Sequence, residues 1–90
     1  MLKHLNIKIF GGVQGVFFRV RAAEKAKELG VKGFAENLAE GAVYVEAEGE
    51  EENLKKFLQW CEKGPPSAAV EKTDFEFSDE LKNFDGFQMR

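Results

Sequence analysis

Leu5, Ile7 and Ile9 alternate with Asn6 and Lys8, a period of two that predicts a strand with one buried face. After a glycine-rich bend, Ala22, Ala26 and Leu29 recur at helical spacing with Val20 and Ala23 beside them. A helix is therefore predicted from Phe18 to Leu29, with Gly30 as its C-terminal stop. Residues 31–37 read as a short strand and Leu38, Ala39, Glu40 and Gly41 as a tight connection. Val43, Val45 and Ala47 then alternate with Tyr44, Glu46 and Glu48 in a strand that completes a hairpin. Leu54, Phe57, Leu58 and Cys61 fall at i, i+3, i+4 and i+7, one face of a second helix. Acidic Glu50, Glu51 and Glu52 suit its positive end, and Gly64, Pro65 and Pro66 terminate it. In the tail Thr73, Phe75 and Phe77 alternate while Val70 is out of phase, which predicts a fourth strand with a bulge; residues 86–89 leave room for a short edge strand.

The order is β-α-β-β-α-β. Two helices with one apolar stripe each must cover the same kind of surface, and a sheet with one apolar face supplies it. The predicted fold is α+β, a ferredoxin-like α/β sandwich in which an antiparallel sheet is covered on one face by two helices. Ninety residues, 43% of them hydrophobic, suit one domain spanning residues 1–90, and a chain of this size buries roughly two-thirds of its unfolded surface. Such a fold hosts unrelated activities, so function has to be argued from a site.

Composition removes several classes. No apolar run approaches the roughly 20 residues of a membrane span, and the N-terminus alternates where a signal peptide would be continuously apolar. The expectation is a cytoplasmic protein without a membrane partner. One cysteine, Cys61, and one histidine, His4, leave no internal disulfide and almost no zinc ligands, so neither metal nor cofactor is expected. A surplus of Glu and Lys over Gln and Cys points to a heat-adapted source. The net charge of −3 argues against nucleic acid as a partner. All the carboxylates lie between Glu24 and Asp85, whereas the first 23 residues carry only Lys3, Lys8, Arg19 and Arg21.

That positive end coincides with the bend FGGVQGVFFR. Gly11, Gly12 and Gly15 permit positive φ and close approach, so consecutive amides can converge as an anion-binding nest, and the helix start adds its partial positive charge. Residues 13–18 contain no Ser, Thr, Asp or Asn to cap the first helical N–H groups. A bound phosphate would complete the cap, with Arg19 meeting its oxygens as a bidentate partner. Alternatively, water caps the helix and the glycines only shape a turn. A Walker loop would need Gly-Lys-Ser/Thr where Phe17, Phe18 and Arg19 stand, and a dinucleotide fingerprint would need a different glycine spacing inside a parallel βαβ unit. No cysteine lies in the loop, so no thiophosphate intermediate can form there.

The stretch GGVQGVFFR resembles the G-x-V-Q-G-V-x-F-R signature of the acylphosphatase family, and the resemblance runs the length of the chain. KGFAENLAEG is similar to that family's G-W-V-x-N-x-x-x-G hairpin, and the GPP loop and FDGFQMR follow in order. The resemblance implies hydrolysis of an acyl phosphate to a carboxylate and inorganic phosphate, without metal or covalent intermediate, by a monomer. Carried over by position, it makes Arg19 the phosphate-binding arginine and Asn37 the residue that orients the attacking water. The backbone of Gly12, Val13, Gln14, Gly15, Val16 and Phe17 would bind the phosphate. An acyl phosphate has a good leaving group, so holding the phosphoryl group and placing water in line can suffice. Asn37 is not basic, and the proton can pass to the substrate's own phosphate oxygen; without the resemblance, Asn37 would read as a hairpin residue capping its turn.

Gly12 stands where the family often has Lys or Arg, Phe34 where it usually has Trp, and Glu36 where it commonly has a basic or neutral residue. Two rivals share the topology. An RNA-binding module is suggested by KGFA, residues 32–35, which imitates the opening of its aromatic signature before Glu36 and Asn37 break the match. A regulatory domain that binds phosphorylated ligands without turnover would use the same cradle. His4 is expected at the surface, Cys61 as a small buried hydrophobe, and Trp60 in packing.

Overall fold

The computed structural model describes residues 1–90. Its elements are β1 (Leu2–Gly12), α1 (Phe18–Leu29), β2 (Lys32–Asn37), β3 (Val43–Glu50), α2 (Glu51–Lys63), β4 (Ala69–Ser78) and β5 (Phe87–Met89). The strands form a single sheet in the order β4-β1-β3-β2-β5, and both helices pack on one face of it, as the ferredoxin-like sandwich requires.

The core follows the predicted alternation. Leu5, Ile7 and Ile9 of β1 lie beside Val43, Val45 and Ala47 of β3 and are fully buried. Leu54, Phe57, Leu58 and Cys61 of α2 and Phe18, Ala22 and Ala26 of α1 close over them. Burial pushes the Cys61 thiol far above its ordinary pKa, so it behaves as the small hydrophobe expected. Trp60 packs against Phe18 and stacks on Phe57. Gly30 ends α1 in the left-handed conformation, its N–H reaching back to Ala26 and Lys27. The expected bulge is present opposite Phe10 and Gly11, where the register with β4 slips from Lys72 to Val70.

Two expectations need correction. The sheet is mixed, not wholly antiparallel: β5 pairs with β2 in parallel. The reason is topological, because residues 79–86 carry the chain from β4 at one edge to the other edge, beside β2. The second concerns His4, which is 4% exposed and not a surface residue. That crossing explains it, and the same cover leaves Glu46 and Glu48, on the sheet face away from the helices, only 6% and 8% exposed. The two ring nitrogens of His4 face Glu48 Oε2 at 2.6 Å and Glu46 Oε1 at 3.1 Å. Glu48 also accepts the backbone N–H groups of Lys82 and Asn83, Glu46 accepts from Lys82 Nζ and the Tyr44 hydroxyl, and Phe84 stacks on His4. Burial by itself would raise both carboxyl pKa values; the bonds from Lys82, Tyr44, Asn83 and His4 outweigh it and hold both below the ordinary carboxylate range. The crossing segment is thus fastened to the back of the sheet by a satisfied buried ionic cluster.

Candidate active site

The bend between β1 and α1 is shaped by contacts that leave its amides unused. At its base Gly11 adopts φ 127°, and a Cβ there would lie 2.2 Å from the carbonyl oxygen of Ala69, so only glycine lets β1 and β4 approach at this point. Gly12 closes β1 opposite Ala69, and Val13 directs its N–H to Gly11 O at 3.0 Å, so the Val13 amide expected in the cradle is spent within the bend itself. Beyond that, the backbone N–H groups of residues 14–20 donate to no other group of the protein, and α1 has no side-chain cap. Its N-cap residue is Phe17, held at φ 61°, ψ 23°. The result is a run of donors at the positive end of a helix.

Two side-chain contacts tie this loop to its surroundings, and neither was legible in the sequence. The Gln14 carboxamide donates through Nε2 to Leu38 O at 2.7 Å and Ala42 O at 2.9 Å, at the tip of the β2–β3 hairpin. The Ser67 hydroxyl donates to Val16 O at 2.7 Å. The hairpin tip closes itself as well, with Leu38 N–H on Ala42 O and Gly41 N–H on Leu38 O. No local signal identifies these partners, because each joins residues far apart in the chain.

Asn37 ends β2 opposite Val43 and so belongs to the helix-bearing face, while Glu36 opposite Tyr44 belongs to the other, as alternation predicts. Arg19 occupies the first turn of α1. Both line one open cavity of about 290 Å³, together with Val13, Gly15, Phe17, Phe18 and Val20. The two residues singled out from sequence are therefore brought together across the amide loop, and no carboxylate lines the cavity. Arg19 Nη1 donates to the backbone oxygen of Arg90 at 2.6 Å, and the Arg90 guanidinium lies 3.9 Å over the Phe34 ring. Phe34 itself is buried between Tyr44 and Phe84. The aromatic that an RNA-binding sheet would offer to a base is thus covered. No helix of the structure is long and apolar enough to cross a membrane.

An unused amide run, a guanidinium and a carboxamide around one carboxylate-free cavity can hold a tetrahedral dianion and a water. Comparison with known proteins identifies the family. The acylphosphatase family model matches residues 5–89. An acylphosphatase of Archaeoglobus fulgidus is 42% identical over 94% of this chain and 94% of its own, and one of Thermotoga maritima is 45% identical over 83% of each. Among solved structures, an acylphosphatase from Coxiella burnetii superposes with a TM-score of 0.93 at 34% identity, covering 99% of this chain and 93% of that one. On the match over nearly its whole length, in sequence and in fold, this chain belongs to the acylphosphatase family.

Proposed function

We propose that Arg19, Asn37 and the amides of the β1–α1 loop carry out the hydrolysis of an acyl phosphate by water. The phosphoryl group lies against the N–H groups of Gln14, Gly15, Val16 and Phe17, with the Arg19 guanidinium closing the cradle. Those donors neutralise the dianion and stabilise charge on the equatorial oxygens in the transition state; one such donor is typically worth about 3 kcal/mol. Asn37, across the same cavity, hydrogen-bonds the attacking water and sets its line of approach. Water attacks phosphorus, the bond from phosphorus to the acyl oxygen breaks, and the carboxylate leaves with the bonding pair. The water's proton passes to a phosphate oxygen. No strong base is needed, because a carboxylate leaves readily, and amides with one guanidinium supply the charge stabilisation for which other phosphotransfer sites use a metal.

The observation that carries this reading is the shared cavity: Arg19 from α1 and Asn37 from β2 converge on a loop whose N–H groups have no protein acceptor. Its test is turnover of benzoyl phosphate in the presence of EDTA. Release of benzoate and phosphate at an undiminished rate is expected. Binding of phosphate without turnover would favour the regulatory domain instead.

A further inference from the structure

Phe17 breaks two local rules at once. It is one of only two non-glycine residues with positive φ, and a bulky side chain in that conformation is a genuine outlier, costing on the order of 1 kcal/mol or more. Its ring is also 73% exposed, so no packing offsets the strain. Glycine would serve the backbone at this N-cap without strain, and asparagine with little. The fold therefore does not explain a phenyl ring here. Unfavourable local choices without a structural return mark sites where a ligand supplies the missing contact.

The surroundings say which part of a ligand that is. Phe17 lines the cavity of Arg19 and Asn37 while remaining exposed, which puts its ring at the rim of the proposed phosphate site. Val20, half-buried, adds apolar surface to the same wall, and nothing lining the cavity is acidic. A molecule gripped by its phosphate in the loop must send its remaining substituent out past this rim. We infer that Phe17 is a specificity-determining residue that receives the acyl substituent, and that the preferred substrates are acyl phosphates of aromatic or branched apolar acids. This assignment rests on the hydrolase reading above. It requires no new chemistry: the ring is an apolar platform against which an acyl group buries surface and, if aromatic, stacks.

The test compares benzoyl phosphate with acetyl phosphate, which differ only in the substituent that reaches the ring. Phe17→Asn tolerates the left-handed backbone and keeps the amide, and Phe17→Gly removes backbone strain altogether. For both variants the preference for benzoyl over acetyl phosphate in kcat/KM is expected to fall about tenfold, equivalent to about 1.4 kcal/mol. Phe17→Leu, which keeps apolar area without a ring face, should retain most of the preference for a branched acyl phosphate such as isobutyryl phosphate while losing part of that for benzoyl. Competitive inhibition by inorganic phosphate reports whether the loop itself is intact. An unchanged preference in the Asn and Gly variants, with wild-type turnover of both substrates, overturns the assignment alone. A wild-type protein that cleaves neither substrate overturns the hydrolase reading and this assignment with it.

Discussion

The Gln14 tether offers a quantitative test of whether the site depends on the relative placement of its two halves. Gln14→Leu keeps much of the bulk of the side chain, one atom shorter, but removes the donors that reach Leu38 O at 2.7 Å and Ala42 O at 2.9 Å. A net intramolecular hydrogen bond is worth about 0.5–1.5 kcal/mol, and an orphaned acceptor costs about 1–3 kcal/mol more. The second term does not apply, because Leu38 O still accepts from Gly41 N–H and Ala42 O from Leu38 N–H. The two lost bonds therefore amount to about 1–3 kcal/mol, which for a domain of this size lowers Tm by roughly 4–24 °C.

The consequence for activity is larger than that for stability. The hairpin keeps its own fold but loses the strut that holds it against the loop, and a misplacement on the order of 1 Å can cost about a hundredfold in rate. The expected outcome is a fall in kcat of about ten- to a hundredfold on benzoyl phosphate. Inhibition by inorganic phosphate should change by no more than about threefold, since the amides and Arg19 belong to the loop and not to the hairpin. Urea denaturation and steady-state kinetics with phosphate as a competitive inhibitor measure both. A variant with the expected stability loss and wild-type kcat would refute the reasoning, as would parallel collapse of kcat and phosphate affinity, which would mean that Gln14 shapes the cradle itself.

Arg19→Ala is expected to lower kcat/KM by about a thousandfold and to abolish phosphate inhibition, because it removes the one side-chain cation of the cradle. Asn37→Ala should lower kcat by about a hundredfold with phosphate affinity largely kept, whereas Asn37→Asp should weaken phosphate affinity as well by opposing the dianion; phosphate inhibition constants separate the two. Glu48→Gln breaks the buried cluster around His4, and loss of one partner there typically costs about 3–5 kcal/mol. Thermal unfolding at pH 7 should show that deficit. The folded-state pKa of Glu48 is depressed, so its contribution is present above the ordinary carboxylate pKa and is lost as pH falls through the folded value. The difference between wild type and Glu48→Gln should therefore shrink in acid; a deficit independent of pH would contradict the ionic origin.

Local order explains what was legible in the chain. The limits of α1 and the buried stripe of α2 follow from spacing within one or two turns, and the bulge beside Val70 from a break in alternation. Arg19 can be singled out from the chemistry of its glycine-rich bend, whereas Asn37 stands out only through the resemblance of its hairpin to the acylphosphatase family. The failures share one cause. His4 reads as a surface residue because nothing near it in sequence announces a cover; that cover is the segment of residues 79–86, which arrives from the far edge of the sheet and buries Glu46 and Glu48 with it. The same crossing sets the parallel pairing of β5, and no periodicity of three residues can announce its partner. Gln14 reads in sequence only as a backbone position of the loop, although its side chain makes the longer-range contact.

These long-range contacts bear on the proposed reaction more directly than their distance suggests. A cradle of amides accelerates phosphoryl transfer only if its donors are already aimed when charge develops, so the loop must be held from outside. Gly11 against Ala69 and Val16 O on Ser67 hold it from two sides. Arg19 needs the same treatment, because a free arginine side chain carries about 2 kcal/mol of rotamer entropy. Its Nη1 is fixed by Arg90 O, Arg90 follows β5, and β5 is delivered by the segment that Glu48 anchors through Lys82 and Asn83. The ionic cluster behind the sheet thus lies at the start of a continuous mechanical chain ending at the guanidinium. Weakening the cluster at low pH should loosen Arg19 before it unfolds the core, so phosphate affinity should decline at a higher pH than the far-ultraviolet circular dichroism signal. Coincident loss of the two would show that Arg19 is oriented by the core alone.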